Sequence, residues 1–293
     1  MIAVVGSTAS GKTAFAIDLA ARLGGTLISA DSRQVYRHCD IGTNKPTRAE
    51  LRGQTCHLID VADPDQRFTV ADYQPMAHAA VLSIAAEGRV AVLQGGTGLY
   101  LRTLLDGWNL ADAPPDLALR AALERRLERE GPEALDAELR LIDRAAAERA
   151  QRNPRRMIRA LEIHAVTGQP PSSARRAQPP AWRITMLGLD VPLTELDHRI
   201  ATRVDEMIQA GFVDEVARIR RDYPTADLRV LGHGYPEMGA ALDSVMTLET
   251  AVASTVQQVR RYARRQRTWF RADPRVRWIP PNLDAAMVWL PAV

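Results

Sequence analysis

Gly6, Ser7, Thr8, Ala9, Ser10, Gly11, Lys12 and Thr13 stand in the order G-x-x-x-x-G-K-[ST], and that order has a chemical meaning. Two glycines let the backbone wrap closely with its N–H groups turned inward. A helix beginning at the loop adds the positive end of its dipole. Lys12 supplies a mobile positive charge, and the Thr13 hydroxyl suits a Mg²⁺ ion bridging phosphate oxygens. The loop is thus a cradle for a diphosphate group, whether in ATP or on some other carrier. Asp31 heads a second stretch, Asp31-Ser32-Arg33-Gln34-Val35-Tyr36. Read from the residues alone, this carboxylate has three possible uses: a metal ligand as in a kinase, a base for a nucleophile beside the phosphates, or a turn cap.

The elements that must position these groups are readable from apolar spacing. Ile2-Ala3-Val4-Val5 is a buried strand before the phosphate loop, and residues 14–20 after it have helical periodicity. Further strands are expected at 26–30, ending at Asp31, and at 90–94, ending at Gly95-Gly96-Thr97. A helix at 71–86 between them has Thr69 and Asp72 in capping-box spacing. Strand and helix in alternation imply a parallel sheet covered on both faces, with ligands at the carboxyl ends of the strands. The phosphate loop, Asp31 and Gly95 to Thr97 all fall at such ends.

After Trp108 the alternation stops at Asp112-Ala113-Pro114-Pro115-Asp116. Helices are expected at 117–129, at 132–150, and from an Asn153-Pro154 start to Gly168, followed by a proline-rich loop at 169–181. Strands return at 184–191 and 276–279, with helices at 193–210, 213–223 and 248–271. The expected architecture is a P-loop NTPase-like α/β fold in which residues 1–108 and 183–293 form a parallel sheet flanked by helices. Residues 109–182 are an all-helical insertion. In the last helix, Val256, Val259, Ala263 and Phe270 form an apolar face, with Gln266 in phase, while Arg260, Arg264, Arg267 and Arg271 line another.

Composition bounds the setting. The chain has 293 residues, 46% hydrophobic and 25% charged, which suits an ordinary globular protein with a well-buried core. No apolar run approaches the ~18 residues of a membrane span, and no leader precedes the phosphate loop, so a cytoplasmic location is expected. Cys39 and Cys56 lack zinc spacing and are expected to be chemical bystanders. The formal net charge is only +3, yet arginines cluster at 144–159 and at 260–277. Such runs suggest a polyanionic partner, against the plainer reading of solvated helix faces.

Six ordered blocks carry a family resemblance: Gly6 to Thr13, Asp31 to Tyr36, Asp40-Ile41-Gly42-Thr43-Asn44-Lys45-Pro46, His57-Leu58-Ile59-Asp60, Gly95 to Tyr100, and Arg260 to Phe270. Together they closely resemble the tRNA dimethylallyltransferases. The resemblance implies transfer of a dimethylallyl group from dimethylallyl diphosphate to the exocyclic N6 amine of the adenosine 3′-adjacent to the anticodon in tRNA, with Mg²⁺. It makes Asp31 the proton acceptor, Thr97 a neighbour of the reacting centre and Arg203 a pyrophosphate contact beside Arg199. It assigns tRNA contacts to Asp31, Ser32, Arg33, Gln34 and Thr97, and in the insertion to Arg120, Arg155, Arg156, Met157, Ile158 and Arg159. Gln34 and Tyr36 are expected to hold bases near the extruded adenine. The partners so implied are the tRNA anticodon stem-loop and dimethylallyl diphosphate, with no membrane. A monomer is the default expectation.

The chain departs from the family pattern at Leu231-Gly232-His233-Gly234-Tyr235-Pro236-Glu237, where His233 and Pro236 are unusual. His233 is expected to be a loop residue. Without the resemblance, Arg203 would be read as a salt-bridge partner of Glu206. Two other functions stand as alternatives. A phosphate-loop kinase would want a metal-binding carboxylate where the strand at 90–94 ends in Gln94, and an NTP-driven RNA-binding switch would leave its RNA chemically unchanged.

Overall fold

The computed structural model describes residues 1–108, 116–173 and 177–290. Short apolar strands without alternation require cover on both faces, and the chain meets that demand with one six-stranded, all-parallel sheet. Its strands are β1 (Ile2–Val5), β2 (Thr26–Ser29), β3 (Cys56–His57), β4 (Ala91–Gln94), β5 (Thr185–Leu189) and β6 (Val276–Ile279), in the order β3-β2-β4-β1-β5-β6. Every residue of β1, β2 and β4 is buried. β1 lies between β4 and β5, with Ile2 opposite both Val92 and Thr185.

Along the first part of the chain run α1 (Lys12–Leu23), α2 (Arg48–Leu51), α3 (Val70–Ala86) and α4 (Gly98–Leu105). The insertion supplies α5 (Leu117–Glu130), α6 (Pro132–Ile142), α7 (Arg144–Ala150) and α8 (Pro154–Thr167). Then come α9 (Leu193–Gln209), α10 (Phe212–Asp222), α11 (Leu228–Leu231), α12 (Tyr235–Leu242), α13 (Leu248–Arg271) and α14 (Leu283–Met287). The chain divides into two units, Met1–Leu104 with Ala181–Val293, and Leu105–Pro180. No helix among the described residues is long and apolar enough to cross a membrane.

In the first unit, Phe15, Ala16, Leu19 and Ala20 of α1 pack against Val4, Leu27, Val92, Leu187, Leu189 and Ile279 of the sheet. A smaller cluster of Ala9, Val191, Leu196, Ile200 and Ala263 fixes α9 and α13 to the phosphate loop. The capping box of α3 forms as the spacing predicts, with the Thr69 N–H donating to Asp72, and the helix runs on past Pro75.

The second unit has a core of its own: Leu123, Leu135, Leu139, Ala146, Ala147, Ala150, Met157, Ile158 and Leu161. The helix expected at 132–150 is two helices. Asp143 leaves helical geometry and caps α7, accepting from the Ala146 N–H at 3.0 Å, while its other oxygen accepts from the Ser172 N–H at 2.6 Å. Asn153 caps α8 as its spacing implies. Of the expected linker, Asp112 to Pro115 lie outside the described residues and Asp116 caps α5.

Met157 and Ile158 are core residues at 0% and 5% exposure, so their side chains cannot serve as contacts to a large polar partner. The arginine run on α13 also needs correction. Arg260 and Arg264 pair with Asp197, Arg267 and Arg271 pair with Asp190, and Arg275 pairs with Asp273. Arg260, Arg264, Arg267 and Arg271 fasten α13 to α9 and to the end of β5, so half of the eight arginines at 260–277 serve internal structure, while the Arg275 pair is local. Asp143→Ala is expected to cost about 1–2 kcal/mol in the stability of the inserted unit. Amide exchange of α7 in denaturant series checks this, with exchange speeding there and the sheet strands unchanged.

Candidate active site

The carboxyl ends of β1, β2 and β4 converge, and the loops that leave them carry the predicted chemistry. The phosphate loop follows β1, Ala30-Asp31 follows β2, and Gly95-Gly96-Thr97 follows β4. Main-chain bonds stitch these ends together: Ala30 N–H to Gln94 O at 2.7 Å, Thr97 N–H to Ala30 O at 3.1 Å, and Gly95 N–H to Val4 O at 3.3 Å. The loop itself is wound through the left-handed region, at φ 146° for Gly6, 63° for Ala9 and 86° for Gly11. A non-glycine held at positive φ stores local strain, which a packed scaffold must hold in place. Here the scaffold is α13: Ser7 Oγ donates to Ala263 O at 3.0 Å, and the Thr8 N–H donates to Gln266 Oε1 at 2.7 Å.

Lys12 is buried, and its ammonium donates to Ser7 O at 2.6 Å. Burial lowers its pKa to about 8; the Asp31 carboxylate opposes this and the Arg203 guanidinium adds to it. Asp31 and Arg203 therefore both lie within electrostatic reach of Lys12. Arg203 is half-buried, and burial lowers its own pKa, with Glu206 opposing and Arg199 reinforcing the effect. It forms no ion pair or hydrogen bond among the described residues, so the salt bridge to Glu206 that its spacing suggested does not form. Arg199 instead pairs with Glu195 at 2.5 Å and donates to Ala9 O at 3.4 Å.

Asp31 is partly exposed, with one oxygen accepting from the Arg33 N–H at 2.9 Å. Thr97 Oγ1 accepts from the Ser32 N–H at 2.9 Å and lies 3.3 Å from Ser32 Oγ. Arg33 reaches away to donate to Val230 O. Gln34 and Tyr36 do not line the cleft as expected. Gln34 is 5% exposed and has both ends of its amide engaged, accepting from Ser29 Oγ at 3.1 Å and donating to Asn44 O at 3.2 Å. Tyr36 is a core residue at 1% exposure.

Four residues join the site that the sequence left unassigned or underweighted. Gln94, buried at the end of β4, accepts from Thr13 Oγ1 at 3.4 Å, and its Nε2 is a buried donor without a partner among the described residues, as is Ser10 Oγ in the loop. Gln266 bridges two loops, accepting from Thr8 and donating from Nε2 to Gly96 O at 2.9 Å. A Cβ at position 96 would overlap that Nε2, so glycine is required there. Tyr262 is half-buried near Asp31, and loss of water around its hydroxyl, reinforced by that carboxylate, pushes it up to about 12. His233 is a loop residue, as expected, and a half-buried one: its ring lies 5.0 Å from that of Tyr262, and burial, with Arg33 nearby, keeps its pKa low. Sequence did mark Gln266, by its phase with apolar neighbours.

The donor set fits a magnesium ion that arrives with phosphate. Thr13 Oγ1 and Gln94 Oε1 are neutral oxygens at the loop, and no cluster of three His, Cys, Asp or Glu side chains occurs among the described residues. Magnesium keeps water and phosphate oxygens as most of its ligands, so one protein hydroxyl is enough to anchor it. Cys39 and Cys56 are free thiols, each pushed up to about 12 by burial, as bystanders would be.

In the second unit, Arg120 and Arg159 converge on the fully buried Glu162, at 2.6 Å and 3.1 Å. Arg155 and Arg156 are exposed on the first turn of α8 with no carboxylate partner among the described residues. Arg149 of the same run is likewise exposed with no ion pair among the described residues.

Comparison with known proteins agrees with this picture. The chain is 46% identical over 284 residues to the tRNA dimethylallyltransferase of Roseiflexus castenholzii, covering 96% of this chain and 93% of that protein. It is 45% identical over 280 residues to the tRNA dimethylallyltransferase of Thermomicrobium roseum, covering 95% and 85%. Among solved structures, the full-length tRNA isopentenylpyrophosphate transferase of Bacillus halodurans superposes with a TM-score of 0.72 at 40% identity, covering 98% of this chain and 92% of that one. The IPP transferase family profile matches residues 34–273, and this chain belongs to that family.

Proposed function

We propose that this protein transfers a dimethylallyl group from dimethylallyl diphosphate to N6 of the adenosine 3′-adjacent to the anticodon in tRNA. The reading is supported by membership of the IPP transferase family and by a phosphate loop whose Lys12 feels the charges of both Asp31 and Arg203, with a neutral Gln94 where a kinase wants an acid. The phosphate loop amides, Lys12 and Arg203 neutralise the diphosphate as the allylic C–O bond breaks and its electrons leave on oxygen. The adenine N6 forms the new C–N bond to the allylic carbon. Its lone pair is delocalised into the ring, so it attacks well only as its proton leaves, and in this reading Asp31 takes that proton. Thr97, fixed by Ser32, orients the base beside the cleft. Mg²⁺, held through Thr13, would supply further charge for the departing diphosphate.

The same reading has the exposed Arg155 and Arg156 meeting phosphates of the anticodon stem-loop, with Arg120 and Arg159 held ready by Glu162. It includes a cytoplasmic setting and a monomer as the working form.

The deciding assay incubates the protein with Mg²⁺, unmodified tRNA and either dimethylallyl diphosphate or ATP, and then weighs the tRNA nucleosides. A prenylated adenosine with the allylic donor alone is expected. Nucleotide hydrolysis with unmodified tRNA would instead favour the RNA-binding switch. In the same assay Asp31→Ala should lower turnover by about 10²–10⁴-fold with tRNA affinity retained. For Lys12 the sign follows from its depressed pKa: it is charged below about pH 8 and neutral above, while an enclosed anion favours the charged form. Affinity for inorganic pyrophosphate, followed by calorimetry, should be flat below that pH and fall as pH rises through it, approaching about tenfold per unit. Lys12→Met should bind weakly and lose this pH dependence. Replacing Arg155 and Arg156 with Ala should weaken tRNA binding and reduce the slope of log K against log salt by roughly 1.5 to 2, read by filter binding at several salt concentrations.

A further inference from the structure

Two of the ordered sequence blocks, Asp40 to Pro46 and His57 to Asp60, take no part in the chemistry above, yet the first wraps a buried carboxylate and is tied to the second through Lys45 and Asp60. Glu215 of α10 is 1% exposed. One of its oxygens accepts from the N–H groups of Asp40 at 2.9 Å and Ile41 at 2.8 Å. The other accepts from the Gly42 N–H at 3.0 Å and Tyr235 Oη at 2.8 Å. No cation pairs with it among the described residues. A carboxylate out of water is costly unless its lone pairs are filled, and here three successive backbone amides and one phenol fill them. The loop has to lie flat against α10 and α12 for this, and a Cβ at Gly42 would overlap Phe212 and Tyr235.

What the loop then does is set the strand-end segment that carries Asp31. Asn44 O, two residues past the clamped amides, accepts from Gln34 Nε2, and Gln34 Oε1 accepts from Ser29 Oγ. Lys45 Nζ, also buried, donates to Tyr36 O at 2.7 Å and to Asp40 and Asp60 at 2.6 Å each. Residues 34 and 36 are thus pinned from beneath by the loop, while Ser32 and Arg33 are pinned from above by Thr97 and Asp31.

We propose that Glu215 is a positioning residue for the acceptor side of the site: its carboxylate fixes the loop at 40–45, which through Gln34 fixes the backbone that aims Asp31. The functional half of this rests on the prenyl-transfer reading; the positional half does not. A neutral amide cannot replace it. Glu215→Gln is isosteric, but its NH₂ group faces hydrogen-bond donors whichever way the side chain turns.

The test compares wild type, Glu215→Gln, the milder Tyr235→Phe, Gln34→Ala and the double variants. Amide exchange at residues 31–36 is expected to speed in Glu215→Gln and Tyr235→Phe, with pyrophosphate affinity within about twofold of wild type. Turnover of tRNA should fall by between about tenfold and a hundredfold in Glu215→Gln, the scale of a misplacement near 1 Å. If Glu215 acts through Gln34, the double variant should be no slower than the slower single one. Unchanged exchange at 31–36 in both Glu215→Gln and Tyr235→Phe overturns the proposal, and so do fully additive losses with Gln34→Ala. If wild type makes no prenylated tRNA, the prenyl-transfer reading falls, and the exchange data still decide whether Glu215 positions the segment.

Discussion

One side-chain amide governs the geometry of the cleft. Gln266 accepts from the loop at 6–13 and donates to the loop after β4, so those two loops are held in register by a single buried group. A buried amide must satisfy both its ends, because an orphaned donor or acceptor costs about 1–3 kcal/mol. That requirement turns α13 from a covering helix into a ruler, and Gly96 is the small residue that lets the ruler touch. Ser7 Oγ on Ala263 O adds a second mark on the same helix.

Charge is spent in two ways in this molecule. On α13, four arginines close onto Asp190 and Asp197 and act as fasteners. In the cleft, Lys12 and Arg203 sit near each other in a partly dry environment that depresses the pKa of both, and an enclosed anion relieves that cost. Arginine content alone does not separate these uses. The acidic partner does, and it lies far away in sequence: Asp197 is 67 residues from Arg264 and Asp190 is 81 from Arg271.

That separation also explains which parts of the fold could be read from sequence. β1, β6 and α13 follow from local apolar period and have the expected bounds, and the caps at Thr69 and Asn153 follow from local donor counting. β3 is only two residues long and leaves no period to find. Asp143 breaks a continuous helical pattern because it also receives the Ser172 N–H, a contact 29 residues away. The phosphate loop and Asp31 were legible since their chemistry is written in adjacent residues. Gln34 and Tyr36 were misread for the opposite reason: polar and aromatic types next to Asp31 look like ligands, and only the Asn44 carbonyl and the surrounding core show them to be struts.

The inserted unit has a core of its own, built from α5 to α8. Four helices that bury apolar faces among themselves make a scaffold of fixed shape, and α8 contributes Met157, Ile158 and Leu161 to it from one face while Arg155 and Arg156 stand exposed at its first turn. The spacing and direction of those two charges are therefore set by how α8 packs, so a change of volume at a buried position such as Met157 would move surface charge without touching an arginine.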